Sequence, residues 1–331
     1  MKKIISILLA SMLVLSLSAC NTDNLAEYKK AIDKTEQITK GQFSAEISMG
    51  MDYNTTGMTA EEIKDLNYFK EMKGSFNTVF DDDAEKAIFR NYMNFGGLGY
   101  DFDIFIDGEE FFMKLPVIGK YIKLNEIQNM TNVGKEDYDF DQTIVSEETV
   151  KAITDKWVGL MKEDNVFKGK DIILTTPDGE VKTTEYTITL TDEQIKLFVS
   201  ESVDIAEKDV NLKQYYDKFL KVKINDEDLS FEDMIKCFKD NIENYKVESF
   251  KYTALVDIDG YIVNENILFS IKSTNTDLML KGMDYNLDIK TWDINKEQSF
   301  DFPVLTKENT MDIDNTEEMP DLMKDMFENK N

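Results

Sequence analysis

Apolar residues repeat along this chain with two different periods, and the changes of period divide it into segments. Residues 25–38 carry apolar side chains every three or four positions, which is typical of an amphipathic helix. Over residues 42–115, and again over 250–289, apolar and polar residues alternate, which favours strands with one buried face. Between these stretches, at about residues 146–243, the helical period returns, interrupted by strand-like runs at 172–175 and 184–190. This order predicts an α+β fold with a large antiparallel sheet.

Short polar sequences mark where several of these elements begin or turn. Ser146, Thr191 and Ser230 each stand just before an apolar helical stripe, and Thr191 with Gln194 has the spacing of a capping box. Asp107-Gly108 stands between two alternating stretches and predicts a tight hairpin.

A second Asp-Gly pair occurs in the segment Asp257-Ile258-Asp259-Gly260. The segment resembles the start of a calcium-binding loop, but the oxygen ligands that such a loop carries further on are missing. It also lies between two alternating stretches, so we predict a hairpin turn here and no metal site. Weak calcium binding at the surface is the alternative.

The start of the chain follows a third pattern. Lys2 and Lys3 precede a mostly apolar run, residues 4–17, that is too short to span a bilayer. The sequence Leu17-Ser18-Ala19-Cys20 then resembles the lipobox of bacterial lipoproteins. An ordinary signal peptide with a chance cysteine is the alternative.

The resemblance to the lipobox implies how the chain is processed and where it is located. In lipoproteins the signal peptide, here residues 1–19, is removed, and the cysteine, here Cys20, is acylated with chains such as palmitate. Residues 20–24 would then form a short tether. The resemblance thus implies a protein anchored by lipid to the extracytoplasmic face of the cell membrane, with the membrane as a partner.

Charge excludes some further partners. The formal net charge is −27, and removing residues 1–19, which contain two lysines and no acid, makes it −29. Nucleic-acid binding is not predicted, because phosphate contacts need clustered Lys and Arg. The same net charge opposes electrostatic docking on anionic lipid headgroups, so the acyl chains would supply the anchoring.

The residues available for catalysis are few. The chain has no histidine, which removes the commonest general base and imidazole metal ligands. Once Cys20 is acylated, Cys237 is the remaining thiol, and its place between Met234 and Phe238 in an apolar stripe predicts a buried, structural side chain. Carboxylate pairs remain, but nothing in the sequence singles one out among 65 acidic residues. We therefore predict that the protein is not an enzyme and needs no cofactor.

The order of elements resembles the lipoprotein-carrier folds of the LolA/LolB and LppX/LprG type. The resemblance is carried by the amphipathic helix before the strand at residues 43–53, and by the closing strands at 250–289 with their Asp259-Gly260 turn. It implies an incomplete β-barrel, which is a large curved sheet with helices covering its concave face, around a hydrophobic cavity. Residues 25–313 would form this domain, and residues 314–331 would form a C-terminal tail or a short helix.

Aromatic, aliphatic and methionine side chains on the strand faces, with two from the middle helices, are the candidates for lining such a cavity. They are Phe43, Ile47, Met49, Tyr252, Phe269, Met283 and Tyr285 from the strands and Trp157 and Phe198 from the helices. Ordinary core packing is the alternative for these residues.

Two functions follow from these observations as hypotheses. The first is a membrane-anchored protein that binds an apolar ligand, such as a lipid or a lipidated envelope precursor. The second is a non-enzymatic envelope accessory protein that binds a protein partner through a sheet edge or its acidic surface.

Overall fold

An antiparallel sheet of eleven strands is the largest part of the structure. The structure is a computed structural model that describes residues 23–115, 119–123, 145–217, 223–224 and 227–311. In these residues the chain also forms six α-helices and a separate sheet of two strands. In chain order the elements are α1 Asp23–Thr35, β1 Lys40–Tyr53, α2 Ala60–Lys70, β2 Glu71–Asp81, β3 Lys86–Phe95, β4 Leu98–Asp107, β5 Glu110–Leu115, β6 Lys120–Lys123, α3 Glu147–Leu160, β7 Val166–Thr176, β8 Gly179–Ile188, α4 Asp192–Ala206, α5 Val210–Tyr215, β9 Lys223–Ile224, β10 Glu227–Asp228, α6 Phe231–Ile242, β11 Tyr245–Asp257, β12 Ile262–Ser273 and β13 Leu280–Trp292.

The strands of the large sheet lie in the order β6-β5-β4-β3-β2-β1-β13-β12-β11-β8-β7. Strand β1 joins the two predicted meanders, because it pairs with β2 on one side and with β13 on the other. Strands β6 and β7 are the two ends, so the sheet is not closed. The predicted α+β fold with one large antiparallel sheet is confirmed.

The predicted helix caps are confirmed. Ser146 Oγ accepts a hydrogen bond from the N–H of Thr149 at 3.2 Å, at the start of α3. At the start of α4, Thr191 Oγ1 accepts from the N–H of Gln194 at 3.2 Å, and Gln194 Oε1 accepts from the N–H of Thr191 at 3.0 Å. Ser230 caps α6 in the same way as Ser146 caps α3. These side chains satisfy N–H groups that the first helical turn leaves without partners.

The predicted hairpin at Asp259-Gly260 is also confirmed. Gly260 has a φ of 87°, a conformation that glycine adopts without the steric cost of a Cβ atom. The Asp257 carboxylate accepts a hydrogen bond from the N–H of Tyr261 at 2.8 Å. Asp257 therefore stabilises its own turn.

Several boundaries differ from the sequence-based expectations. Helix α1 begins at Asp23, so the last two residues of the expected 20–24 tether are helical. The strand-like runs expected at 172–175 and 184–190 within the mainly helical region are part of the longer strands β7 and β8, and these join the large sheet through β8 and β11. Elements α5 and β6, of six and four residues, are too short to show a period in the sequence. Residues 1–19, Cys20 and the tail at 314–331 lie outside the described residues.

Helix α1 packs its apolar side against one face of β8, β11 and β12. The ring of Tyr28 lies 5.5 Å from the ring of Tyr186 and 6.3 Å from the ring of Tyr252. At the end of the helix, Thr35 Oγ1 accepts a hydrogen bond from the N–H of Ile262 at 2.9 Å. Ring packing at one point and a hydrogen bond at another fix the helix on the sheet.

Part of the other face of the sheet is also covered. Ile88, Phe105 and Phe112 are buried there, and the rings of the two phenylalanines stack at 5.1 Å. Phe300 and Phe302, from the extended segment after β13, pack against this cluster. The sheet thus has apolar packing on both faces, in different regions.

A carboxyl group is buried beneath α1. Glu265 on β12 is 7% exposed, and its carboxylate accepts a hydrogen bond from the hydroxyl of the fully buried Tyr252. Burial raises the pKa of Glu265 to about 7, although the Tyr252 hydrogen bond acts in the opposite direction. Burial likewise raises the pKa of Tyr252 well above its ordinary value, so the hydroxyl keeps its proton. The folded state therefore holds the Glu265 proton more tightly than the unfolded state does.

This burial predicts a pH dependence of stability. The stabilisation is fully present below the ordinary glutamate pKa and is lost as pH rises through about 7, because the unfolded chain releases the proton first. Between pH 5 and pH 8 the free energy of unfolding should fall by about 2 to 3 kcal/mol through this group. Glu265→Gln, which stays neutral, should remove that fall and be the more stable protein at pH 8.

Urea unfolding of a soluble form beginning at residue 21 measures this effect. The chain lacks histidine, so no imidazole titrates in the same range. Glu46→Gln, on an exposed side chain of β1, is the matched control and should keep the parent's pH dependence. If the free energy of unfolding of Glu265→Gln fell between pH 5 and pH 8 as much as that of the parent, this carboxyl would not be the cause.

Candidate ligand site

The strand register places all seven predicted strand residues on one face of the sheet, which we call the aromatic face. Met49 on β1 pairs with Tyr285 on β13, and Tyr285 pairs with Phe269 on β12. Residues paired in this way point to the same side, and side chains two residues apart along a strand share it. By this alternation the face includes Phe43, Ile47, Met49, Tyr252, Phe269, Met283 and Tyr285.

Several of these predicted residues lie in closed packing. Phe43 is fully buried, and its ring lies 6.2 Å from that of Phe80. Trp157 on α3 is 2% exposed, with its ring 4.9 Å from that of Phe198 on α4 and 5.9 Å from that of Phe250 on β11. These distances are those of ordinary aromatic packing, so this part of the face belongs to the core.

The remaining strand residues divide between core and pockets. Tyr252 is buried and hydrogen-bonded to Glu265. Ile47, Met49 and Tyr285 are partly buried. Of the nine predicted cavity residues, Phe269 and Met283 are the two that line the apolar pocket of the structure.

The apolar pocket has a volume of about 650 Å³. It lies between α4, α6 and the ends of β11, β12 and β13 that are farthest from the Asp259-Gly260 turn. The apolar lining residues that were not predicted include Ile195 and Val199 from α4, Met234, Phe238 and Ile242 from α6, and Val247, Ile271 and Leu278–Leu280 from the strands and the loop before β13. The volume falls within the range of about 300 to 1,000 Å³ that is usual for small-molecule sites.

One side of the apolar stripe of α6 is buried in a core cluster, and the other side lines the pocket. Phe231 and Ile235 are buried next to Tyr216, whose ring lies 5.6 Å from the ring of Phe231. Met234 and Phe238 line the pocket, and Phe238 is 49% exposed. The sequence indicates this arrangement, because the apolar stripe of α6 is wider than the side of a helix that packs against a single neighbour. An exposed aromatic ring beside an apolar pocket is surface that a ligand can bury.

The pocket has few polar groups, and Lys196 and Tyr245 among them already have ion-pair or hydrogen-bond partners. Lys196 is ion-paired with Asp192 at 3.2 Å and with Glu243 at 3.8 Å. The hydroxyl of Tyr245 donates to the carbonyl of Leu280 at 3.2 Å, and burial raises the pKa of this tyrosine. Among the described lining residues there is no carboxylate, so the pocket offers no acid–base pair. Its chemistry suits an apolar molecule.

Cys237 corrects a prediction. It was expected to be buried in the stripe of α6, but its side chain is exposed and lines the apolar pocket. Its sulfur accepts a weak hydrogen bond from the Asn241 amide at 3.6 Å. Cys237 therefore faces the pocket and not the core cluster around Phe231.

A second pocket, of about 560 Å³, has a different character. Its lining includes polar residues such as Ser48, Lys73, Asp284 and Asn286, together with three of the predicted residues, Met49, Phe269 and Tyr285. Charged residues also line it, namely Glu71, Lys73 and Asp284, and they suit an apolar ligand less well than the lining of the first pocket does.

Within the described ranges, no group of three or more Cys, Asp or Glu side chains is placed to hold a metal ion. None of the helices in that part of the chain combines the length and apolarity needed to cross a membrane.

Comparison with known proteins adds no family to these observations. No protein-family model matches the chain, and no curated protein matches it in sequence.

The division between core and pocket predicts different costs of truncation. Trp157→Ala removes a ring packed on several sides and should lower the free energy of unfolding by about 3 to 5 kcal/mol. Phe238→Ala removes a half-exposed ring and should cost less than about 1 kcal/mol. Urea unfolding of both variants measures the contrast, and equal costs would show that Trp157 is not part of a closed core.

Proposed function

We propose that the protein is an extracytoplasmic lipoprotein, anchored to the cell membrane through acylated Cys20, that binds an apolar ligand in the pocket between α4, α6 and β11–β13. The ligand class is a lipid or a lipidated envelope precursor. The observation that carries the proposal is the apolar pocket of about 650 Å³, in which Phe269 and Met283 continue the aromatic face of the sheet.

The composition of the pocket supports this ligand class. Met234, Met279 and Met283 line it, and flexible thioether side chains adapt to irregular apolar shapes such as acyl chains. Each Å² of apolar surface that a ligand removes from water contributes about 25 cal/mol. Lys196 is already paired with two carboxylates, so affinity would come from apolar contact more than from charge.

We further propose that the open sheet is an incomplete β-barrel whose concave side is the aromatic face, covered by helices. The contacts of Tyr28 on α1 and Trp157 on α3 with this face support that arrangement. So does the pocket between the sheet and α4 and α6, which lies on the same side as Phe269. In this arrangement the protein acts by binding, without catalysis or a cofactor.

The alternative is a protein partner that adds a strand to an open sheet edge. Strand β7 is such an edge, and its side chains Phe167 and Ile173 are 53% and 65% exposed. A register shift between Lys168 and Asp171 interrupts the strand, and charged residues lie at this irregularity. Bulges and charges at an edge oppose strand addition, so we favour the ligand-binding function.

A pair of variants with the same exposure tests the pocket. Phe238→Glu places a charge in the pocket lining, whereas Leu197→Glu places it on α4 outside the lining. The parent side chains are 49% and 50% exposed, so both variants should fold. Phe238→Glu should weaken apolar-ligand binding about tenfold or more, since an unpaired charge in an apolar site is costly, and Leu197→Glu should leave it unchanged.

Native mass spectrometry with lipid extraction, on the soluble form beginning at residue 21, identifies the bound ligand. Titration with a fluorescent fatty acid then compares the variants. In this form Cys237 is the single thiol, and a bound ligand should slow its alkylation because it lines the pocket. A protein that purifies empty and refuses added lipid would refute the proposed function.

The anchoring has its own test. Cys20→Ser removes the thioether site for the lipid, so the variant should lose palmitate labelling and leave the membrane fraction. The soluble fold should be unaffected, which thermal unfolding of the purified protein checks. Membrane association that persists in Cys20→Ser would contradict anchoring by this residue.

A further inference from the structure

The second pocket lies on the face of the large sheet opposite to the aromatic face. On β1, Gly50 pairs with Glu71 of β2 on one side and with Asp284 of β13 on the other, and Asp284 pairs with Ser270 of β12. These paired residues point to one side of the sheet, and they alternate along their strands with residues of the aromatic face. The aromatic-face residues that border the second pocket therefore meet it through their main chain.

This pocket is part of a longer groove. A third pocket, of about 350 Å³, shares Gly50, Glu71, Ser270 and Asp284 with the second and extends it along the strands to Gly282. We call the two together the polar groove. The second pocket alone, at about 560 Å³, has the volume of a small-molecule site. The apolar pocket lies on the other face of β12 and β13, so the two sites are separate.

Gly50 leaves open space at the floor of the polar groove. Its φ is not positive, and a Cβ atom added there would meet no other atom within 4 Å. Gly74, on the aromatic face, differs, because a Cβ atom there would lie 2.7 Å from Met93 Sδ and 2.8 Å from Ile47 Cγ2. Packing within the chain thus requires glycine at position 74 but not at position 50. Glycine in the interior of a strand weakens it and often marks the close approach of a ligand.

The side chains around this floor offer hydrogen-bonding groups to a ligand. The hydroxyls of Ser48, Ser249 and Ser270 form no hydrogen bond within the described residues. Asn266 donates to Oδ1 of Asn286 at 3.1 Å, which holds the Asn286 amide while its own N–H groups can still donate. The polar groove therefore suits a ligand that carries several hydroxyl or amide groups.

The charge of the polar groove sets it apart from the acidic chain. Its described lining balances four carboxylates against four ammonium groups, whereas the whole chain has a formal net charge of −27. No ion pair within the described residues involves Glu71, Lys73 or Asp284, so these side chains are available to a ligand. Local neutrality favours an uncharged ligand, since a polyanion or a polycation would meet as much repulsion as attraction. The charged lining residues are Asp52, Glu71, Glu248, Asp284, Lys70, Lys73, Lys272 and Lys281.

An extended peptide fits the polar groove less well. Peptides that bind to sheets in this form use main-chain hydrogen bonds at an open edge. Strands β1, β12 and β13 beneath the groove are each paired on both sides, so their main-chain groups are already used. Recognition in the polar groove therefore depends on side chains.

We propose that the polar groove binds a neutral oligosaccharide. A sugar presents hydroxyls around its ring and C–H groups on one face, so it can use the polar side chains together with Leu268, which lines the groove and is 43% exposed. Carboxylates such as that of Asp284 accept hydrogen bonds from hydroxyls more strongly than neutral acceptors do. This second binding function goes beyond the proposed lipid binding and does not depend on the apolar pocket.

Isothermal titration calorimetry of the full lipoprotein, in a detergent without a sugar headgroup, tests the groove. The probes are three neutral sugars: maltohexaose, cellohexaose and chitohexaose. Gly50→Tyr fills the open space with a residue that strands favour, and it should weaken sugar binding about tenfold or more. Glu46→Tyr is the matched control, because it places the same residue at an exposed position on the same face of β1, outside the groove.

We expect at least one of the three sugars to bind equally to the parent and to Glu46→Tyr, with an affinity that hardly changes with salt. No binding of any of them, or binding that a folded Gly50→Tyr leaves unchanged, would overturn the proposal. If thermal unfolding shows that Gly50→Tyr does not fold, Asp284→Ala, at an exposed side chain, decides in the same way by an expected several-fold loss. Fatty-acid titration reports separately on the apolar pocket and should not change in the folded variants.

Discussion

The structure depends on the pairing of β1 with β13. These strands are about 240 residues apart in sequence, yet their register runs from Gln42 opposite Trp292 to Tyr53 opposite Leu280. Because β1 also pairs with β2 along most of its length, it carries ladder hydrogen bonds on both sides. Without the β1–β13 ladder the two meanders would be separate sheets with exposed edges, which are prone to wrong pairing. The entropic cost of closing so long a loop grows only slowly with its length, so many hydrogen bonds and side-chain contacts can offset it.

This pairing also creates the continuous aromatic face. It aligns Met49, Tyr285 and Phe269 across three neighbouring strands. Towards the Asp259-Gly260 turn, α1 and α3 fill the face, and the core there accepts even a buried Glu265 because Tyr252 supplies a hydrogen bond. Towards the opposite ends of β11–β13 the helices stand away from the sheet and the apolar pocket opens. One face therefore serves as core at one end and as the candidate ligand site at the other.

The candidate site was only partly visible in the sequence. Phe269 and Met283 were predicted from strand alternation, and both line the pocket. Phe43, Tyr252 and Trp157 are also large apolar residues that were predicted from the periods of the sequence. Neighbours from distant parts of the chain bury them, so they do not line the pocket. Cys237 was misplaced for a related reason. Its helical stripe is apolar throughout, and only the position of α6 against α4 and α5 decides which side of the stripe is buried.

The sequence by itself determined the local features: the periods of helices and strands, the caps at Ser146, Thr191 and Ser230, and the Asp259-Gly260 hairpin. Each of these depends on side chains within a few residues of one another, so a short stretch of sequence contains the whole cause. Tertiary structure alone decided the order of strands, the joining of β7–β8 to β11, and the division of the apolar residues between core and pocket. Those outcomes depend on contacts between residues far apart in the chain, for which alternation shows the buried side but not the neighbour that buries it.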